Sequence, residues 1–234
     1  MANKFISFLL LSLTFIPSVF AQYYSQCNQD QFVHTHFFQN KKNGVFIDIG
    51  AHDGVQFSNT YFLENELGWT GLCIEPIPDV FNRLKNNRKA ICIQGCIDSS
   101  HKNKEIDFLR IHGNPPDLEM FSGILEYYDQ RHVNKILQRI ALLGGSAEVI
   151  KVKCFDLNEL LRLNDIDHVD FLSLDTEGGE FEILSSIDFN KVNIDVIAVE
   201  NNYKNPCFKQ FLEPLGYQLI TTLEQDEIYK KREK

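Results

Sequence analysis

Between Val45 and Val199 short apolar runs alternate with segments of helical spacing, and this alternation limits the possible folds more than any other feature. Val45-Phe-Ile-Asp-Ile49, Gly71-Leu-Cys-Ile-Glu75, Ala90-Ile-Cys-Ile-Gln94, Val169-Asp-Phe-Leu-Ser-Leu174 and Ile194-Asp-Val-Ile-Ala-Val199 are each of strand length. Their near-continuous apolar character marks strands covered on both faces. The connecting segments place Phe62, Leu63 and Leu67 before Gly68, then Val80, Phe81 and Leu84, then Phe181, Leu184 and Ile187, all at helical spacing. Repeated strand–helix–strand units build an α/β fold of Rossmann-like type, a mostly parallel sheet with helices on both faces. Residues 218–222 and 227–229 predict a closing antiparallel C-terminal pair.

The rest of the chain is less regular. A polar leading segment carries Phe32, Val33, Phe37 and Phe38, which predict a short helix. Residues 105–111 predict a strand and residues 149–152 another. Between them Val133, Ile136, Leu137 and Ile140 lie at i, i+3, i+4 and i+7, a helix stopped by Gly144-Gly145. Asp156-Leu-Asn-Glu159 has the form of a capping box. With no repeat, low-complexity tract or linker, residues 23–234 are expected to form one domain.

Ahead of that domain, Lys4, an apolar run over residues 5–16 and Val19-Phe20-Ala21 predict a signal peptide at residues 1–21, cut after Ala21. The chain is then expected in the secretory pathway or exported, and membrane-anchored only if the segment is left uncut. Acidic residues outnumber basic ones 32 to 23, which argues against a nucleic-acid partner. Of the six cysteines, Cys73, Cys92 and Cys96 fall in predicted core strands, whereas Cys27, Cys154 and Cys207 have loop-like or element-end settings. Without a CxxC pair, a structural zinc site is not expected.

Ligands of open α/β sheets bind beyond the carboxyl ends of the strands. Here those ends carry Asp48 with Gly50, Glu75, the Gly95-to-Asp98 segment, Asp175 with Glu177, and Glu200 with Asn201 and Asn202. So many carboxylates would repel a phosphate, but they suit hydroxyl groups, a ribose or a cationic ligand. The first turn, Asp48-Ile-Gly50-Ala-His-Asp-Gly54, puts His52 where a dinucleotide fingerprint needs its second glycine, which disfavours a nicotinamide cofactor. Two glycines four apart, with Glu75 ending the next strand to receive both ribose hydroxyls, fit a nucleoside without phosphate. S-adenosylmethionine is such a ligand, and its sulfonium suits the acidic rim.

Phe46-Ile-Asp-Ile-Gly-Ala-His-Asp-Gly54, Ser58-Asn-Thr60, Gly68-Trp-Thr-Gly71 with Ile74-Glu-Pro76, Ser122-Gly-Ile124, Leu172-Ser-Leu-Asp-Thr-Glu-Gly-Gly-Glu180 and Val199-Glu-Asn201 together resemble the FkbM-type methyltransferase family. The resemblance spans about residues 25–230. It implies a class I methyltransferase fold, S-adenosylmethionine as cofactor, and O-methylation of a hydroxyl on a sugar or other small-molecule or glycan acceptor. It also implies cofactor contacts at Asp48, Gly50, Gly54 and Glu75, with Asp98 near the adenine. Gly179 departs in degree from the family's more usual alanine and is expected to loosen the start of its helix.

Methyl transfer is an in-line displacement that needs positioning and then a base for the hydroxyl proton. Asp175 and Glu177 stand where this fold meets the acceptor, so Glu177 is expected as acceptor ligand or base, with Asp175 and Glu200 as supports or magnesium ligands. Asp175 and Glu180 have an alternative role as helix-start groups, and His52 and His132 are alternative bases. A secreted, non-catalytic binding module retaining the same fold is the competing function.

Overall fold

In the computed structural model, which describes residues 21–113 and 116–233, seven strands form the main sheet. The predicted signal peptide, apart from Ala21, lies outside the described residues. Chain order gives β1 (Val45–Ile49), β2 (Thr70–Glu75) and β3 (Ile91–Gln94), then β4 (Cys96–Ile97), β5 (Glu105–Gly113), β6 (Gly123–Ile124) and β7 (Gly145–Phe155). It continues through β8 (His168–Leu174), β9 (Asn193–Glu200), β10 (Tyr217–Leu223) and β11 (Asp226–Lys231). The main sheet runs β10-β11-β9-β8-β1-β2-β3. β3, β2, β1, β8 and β9 are parallel, while β11 pairs antiparallel with both β9 and β10. Strand order reverses between β1 and β8, so the crevice of an open α/β sheet is expected at their carboxyl ends.

Strand alternation explains the two-sided core. Ile47 and Ile49 of β1 and Leu172 and Leu174 of β8 pack with helices α5 (Leu157–Leu163), α6 (Glu180–Ser186) and α7 (Cys207–Leu212). Phe46 and Phe171, of opposite parity, pack with α1 (Gln29–Phe37), α2 (Tyr61–Leu67) and α3 (Pro78–Asn87). The predicted α/β class, with helices on both faces and an antiparallel C-terminal end, is thus observed. The capping box is half made. Asp156 Oδ1 accepts from the Glu159 N–H at 3.0 Å, but the Glu159 carboxylate turns to Lys102 instead. Among the described residues, no helix is long and apolar enough to cross a membrane.

Between β3 and α5 lies a second sheet, ordered β4-β7-β5-β6, with α4 (Gln130–Leu143) beside it. Here the sequence expectations fail in particular ways. β7 runs from Gly145 to Phe155 rather than over residues 149–152, because its first five residues are exposed and carry no apolar alternation. Cys154 takes the element-end alternative of its expected settings, one residue before the end of β7, but it is fully buried there opposite Cys96, with the sulfurs 3.1 Å apart. Cys92 is only half-buried, since β3 is the sheet's edge strand and Ile91 beside it is half exposed. In α4 the expected apolar face is not buried as a unit. Ile136 is buried against Ile111 and Leu118, while Leu137 points to solvent.

Candidate functional site

The turn after β1 is forced to pass close to β8. Gly50 has φ 88°, and a Cβ there would lie 1.7 Å from the Asp175 carbonyl oxygen, so no other residue fits. The Gly50 and Ala51 N–H groups donate to the Ile74 carbonyl, which ties this turn to the end of β2. Glu75 follows there, buried, with Oε2 accepting from the His52 N–H at 3.1 Å and Oε1 from the Ile77 N–H at 2.8 Å. Burial outweighs both hydrogen bonds and pushes its carboxyl up to about 8. Each oxygen keeps acceptor capacity, because a carboxylate offers about four lone-pair sites.

Gly50 and Glu75 share a cavity of about 370 Å³ with Asp175, Glu177 and Glu200 at the carboxyl ends of β1, β2, β8 and β9. Oxygens of the last three acids all lie within 4.8 Å of one another. Burial raises all three, followed by neighbouring acids: Asp226, Glu180 and Asp48 help push Asp175 to about 8, and Asp175 in turn helps hold Glu177 and Glu200 well above the usual carboxylate range. Glu177 sits at φ 59°, a left-handed conformation disfavoured for a side chain of its size. What over-determines that turn is Glu180, whose Oε1 accepts from the Thr176 N–H and Oγ and from the Gly178 N–H, all at 2.8–2.9 Å. Glu180 therefore has the structural role, and Asp175 and Glu177 face the cavity. His132, buried on α4, brings Nε2 to 3.4 Å from Glu177 Oε2, and burial lowers its ring to about 4. Lys135 and Arg139 of α4 also line the cavity, over the Phe121 ring, and the Lys135 charge opposes the rise of Glu177.

A reversal point beneath a cavity walled by carboxylates is where the comparisons with known proteins bear. The sequence profile of the methyltransferase FkbM domain matches residues 48–225. The chain belongs to the FkbM methyltransferase family. Its strand order and this membership together give it the class I methyltransferase fold. No curated protein matches it. Among solved structures it is similar to the METTL16 methyltransferase domain at 14% identity, covering 88% of this chain and 67% of that one with a TM-score of 0.43. It is also similar to a precorrin-6y C5,15-methyltransferase from Geobacter metallireducens, at 14% identity, 83% of each chain and 0.40. A human methyltransferase 10 domain containing protein matches at 15% identity, over 88% and 81% of the chains, at 0.42.

In this FkbM methyltransferase the structure divides the expected site residues into two groups. Gly50, Glu75, Asp175 and Glu177 line the cavity, together with Glu200. Asp48, Gly54 and Asp98 are not among its lining residues. Asp48 shares the parity of Phe46, so its side chain points under the sheet, where it accepts from Thr60 Oγ1 at 2.5 Å. Gly54 faces α3, and a Cβ there would meet Leu84 and Arg88 side chains at 2.6 Å. Asp98 is occupied by Ser100, His101 and the Tyr127 hydroxyl, which hold its carboxyl low against the effect of burial. Gly95, Cys96 and Ile97, just before it, line the cavity in its place.

Two further findings were not expected. Arg88 is a wholly buried arginine whose Nε donates to Glu64 at 2.7 Å and whose Nη2 donates to Thr60 at 2.9 Å, with Asp48 3.8 Å from Nη1. Gly179 does not loosen α6. It is the residue just before the helix, at φ 90°, with Tyr127 2.7 Å from where an alanine Cβ would lie, so glycine is the fitting residue there.

Proposed function

We propose that this methyltransferase uses S-adenosylmethionine to methylate a hydroxyl oxygen of a sugar or another small-molecule or glycan acceptor. The observation that carries the reading is the convergence of Gly50, Glu75, Asp175, Glu177 and Glu200 on one cavity at the strand-order reversal. Glu75 is oriented by two backbone donors and keeps lone pairs for the two ribose hydroxyls. The acids of β8 and β9 complement the positive sulfonium and ammonium groups of the cofactor.

Bound there, S-adenosylmethionine would supply an electrophilic methyl group with the sulfide as leaving group, and Glu177 would take the proton of the acceptor hydroxyl. A carboxyl raised by burial is a better base once ionised, and the arriving positive charge of the cofactor favours ionisation. The test uses S-adenosylmethionine labelled in its methyl group and a panel of sugars and glycans. The expected product is an alkali-stable methyl ether formed with one equivalent of S-adenosylhomocysteine. Glu177→Gln should keep cofactor affinity while turnover falls by about 10²–10⁴. An alkali-labile ester as the sole product, or wild-type turnover in both Glu177→Gln and Asp175→Asn, would overturn this reading. No turnover and no cofactor binding would leave a non-catalytic binding module.

A further inference from the structure

All six cysteines of the chain carry free thiols in the structure, and the sheet register sets four of them side by side in two pairs. Cys73 and Cys92 are partners across the parallel pairing of β2 with β3, and Cys96 and Cys154 are partners across the parallel pairing of β4 with β7. The pairs differ in where the sulfurs point. Cys92 Sγ donates to the Ala90 carbonyl at 3.4 Å, whereas the Cys96 and Cys154 sulfurs meet each other in the core, 3.1 Å apart.

What this second pair joins is a seam of the molecule. β4 is only Cys96 and Ile97, and through it the chain leaving β3 pairs with β7 of the second sheet. The two backbones approach closely there: a Cβ on Gly95 would lie 2.5 Å from the Lys153 carbonyl oxygen, and Cys96 Sγ is 3.6 Å from that same oxygen. Neighbouring strands lie about 4.8 Å apart, inside the roughly 4.4–6.8 Å between Cα atoms that a disulfide spans. The bond itself is about 2 Å long, so closing it asks about 1 Å of movement from two sulfurs already in contact.

We propose that Cys96 and Cys154 form a disulfide that fastens the second sheet to the wall of the cavity, where Gly95, Cys96 and Ile97 are lining residues. Its formation is independent of the methyl-transfer reading. Each thiol loses its hydrogen, and the two electrons and two protons pass to a disulfide oxidant of the glutathione type, which is released as two thiols. Cys96 reaches the cavity while Cys154 is fully buried, and this sets the order: the Cys96 thiolate attacks the oxidant, then Cys154 attacks the Cys96 sulfur and expels the second thiol. The contact with Cys154, and then burial, push the Cys96 thiol up, so exchange is faster while the chain folds than after the seam has closed. The cross-link joins positions 58 apart in the chain, a loop long enough for the restraint on the unfolded chain to be felt in stability.

The test needs neither cofactor nor acceptor. The full chain is unfolded in guanidinium chloride and refolded in reduced and oxidised glutathione, and a second sample, purified folded, is equilibrated in the same buffer so that the reading does not depend on refolding. Free thiols are alkylated in denaturant, and trypsin digestion without reduction is followed by mass spectrometry. Four of the six cysteines should be alkylated, with one linked pair of peptides. Residues 90–102 form a single tryptic peptide carrying both Cys92 and Cys96, so fragmentation of the linked pair is used to place the bond, and Cys96 is the position expected. In Cys154→Ala all five remaining thiols should be alkylated. Dithiothreitol should lower the melting temperature of the cross-linked wild type by about 5 °C or more and leave that of the double variant Cys96→Ala, Cys154→Ala unmoved. Six free thiols in both samples, or a bond placed on Cys73 or Cys92, would overturn the pairing. A wild-type melting temperature indifferent to dithiothreitol would overturn the fastening role.

Discussion

Two buried acidic clusters flank the turn after β1, and they are compensated in different ways. Beneath the sheet, Asp48 and Glu64 share the guanidinium of Arg88, which also reaches Thr60 and the Gly54 carbonyl. At the carboxyl ends of the strands, Asp175, Glu177 and Glu200 crowd together, with Asp226 and Glu180 raising them further, and among the described residues no lysine or arginine is paired directly with them; Lys135, which lines the same cavity, only partly offsets Glu177. The first arrangement is complete in the folded chain and serves the fold. The second would be completed by a positively charged ligand, as the proposed binding site requires.

The most severe way to break this contrast is to remove the internal cation. Arg88→Met leaves two buried carboxylates uncompensated and should cost about 3–5 kcal/mol of stability, lowering the melting temperature by about 10 °C or more. A loss below about 1 kcal/mol, read from denaturant unfolding, would show that Arg88 is not what balances Asp48 and Glu64.

The cavity side is sharpened by pH. Glu75 would receive two hydroxyl donors best when ionised, and burial pushes its carboxyl up to about 8. Nucleoside binding should therefore be tightest above pH 8 and weaken about tenfold per unit below it, with Glu75→Gln removing the dependence. For stability the sign is opposite. A carboxyl raised above its unfolded value holds its proton more tightly when folded, so its contribution is present at low pH and lost as pH rises toward 8. Titrating S-adenosylhomocysteine at pH 7 and pH 9 checks the first statement, and a flat profile in the wild type would remove Glu75 from the site.

The smallest effect should also have the opposite direction from the first. Asp175→Asn relieves repulsion in a cluster without a directly paired cation, so at pH 9, above the raised value of about 8, the protein in EDTA should gain about 1 kcal/mol, some 2–4 °C in melting temperature. Destabilisation of similar size would mean that the Asp175 carboxylate supports the fold.

Much of this contrast was legible in the sequence, and the missing part has identifiable causes. Strand-length apolar runs revealed β1, β2, β8 and β9, and reading their carboxyl ends found Glu75, Asp175, Glu177 and Glu200. Two errors came from treating every acid at a strand end as facing the ligand. Asp48 lies one residue inside β1, on the parity of Phe46, so it was bound to point toward α2 and α3. Arg88, between Asn87 and Lys89 at the end of α3, looks like an ordinary solvated charge. Its burial depends on Glu64, from a helix 24 residues earlier, and no local pattern reports that contact. Asp98 likewise meets Tyr127 only because the second sheet folds back on the first, and β7 of that sheet is too exposed to show a strand signal.

The acids at the carboxyl ends of the strands are proposed to form a nucleoside site, whereas those around Arg88 belong to the scaffold. Calorimetric titration of the folded wild type with S-adenosylhomocysteine, repeated with Glu75→Ala, tests that division most directly. The wild type should bind one equivalent, and Glu75→Ala should lose about 1.5–3 kcal/mol, the scale of hydrogen bonds to a charged group. A folded wild type that takes up no ligand, or equal affinity in Glu75→Ala, would contradict the assignment.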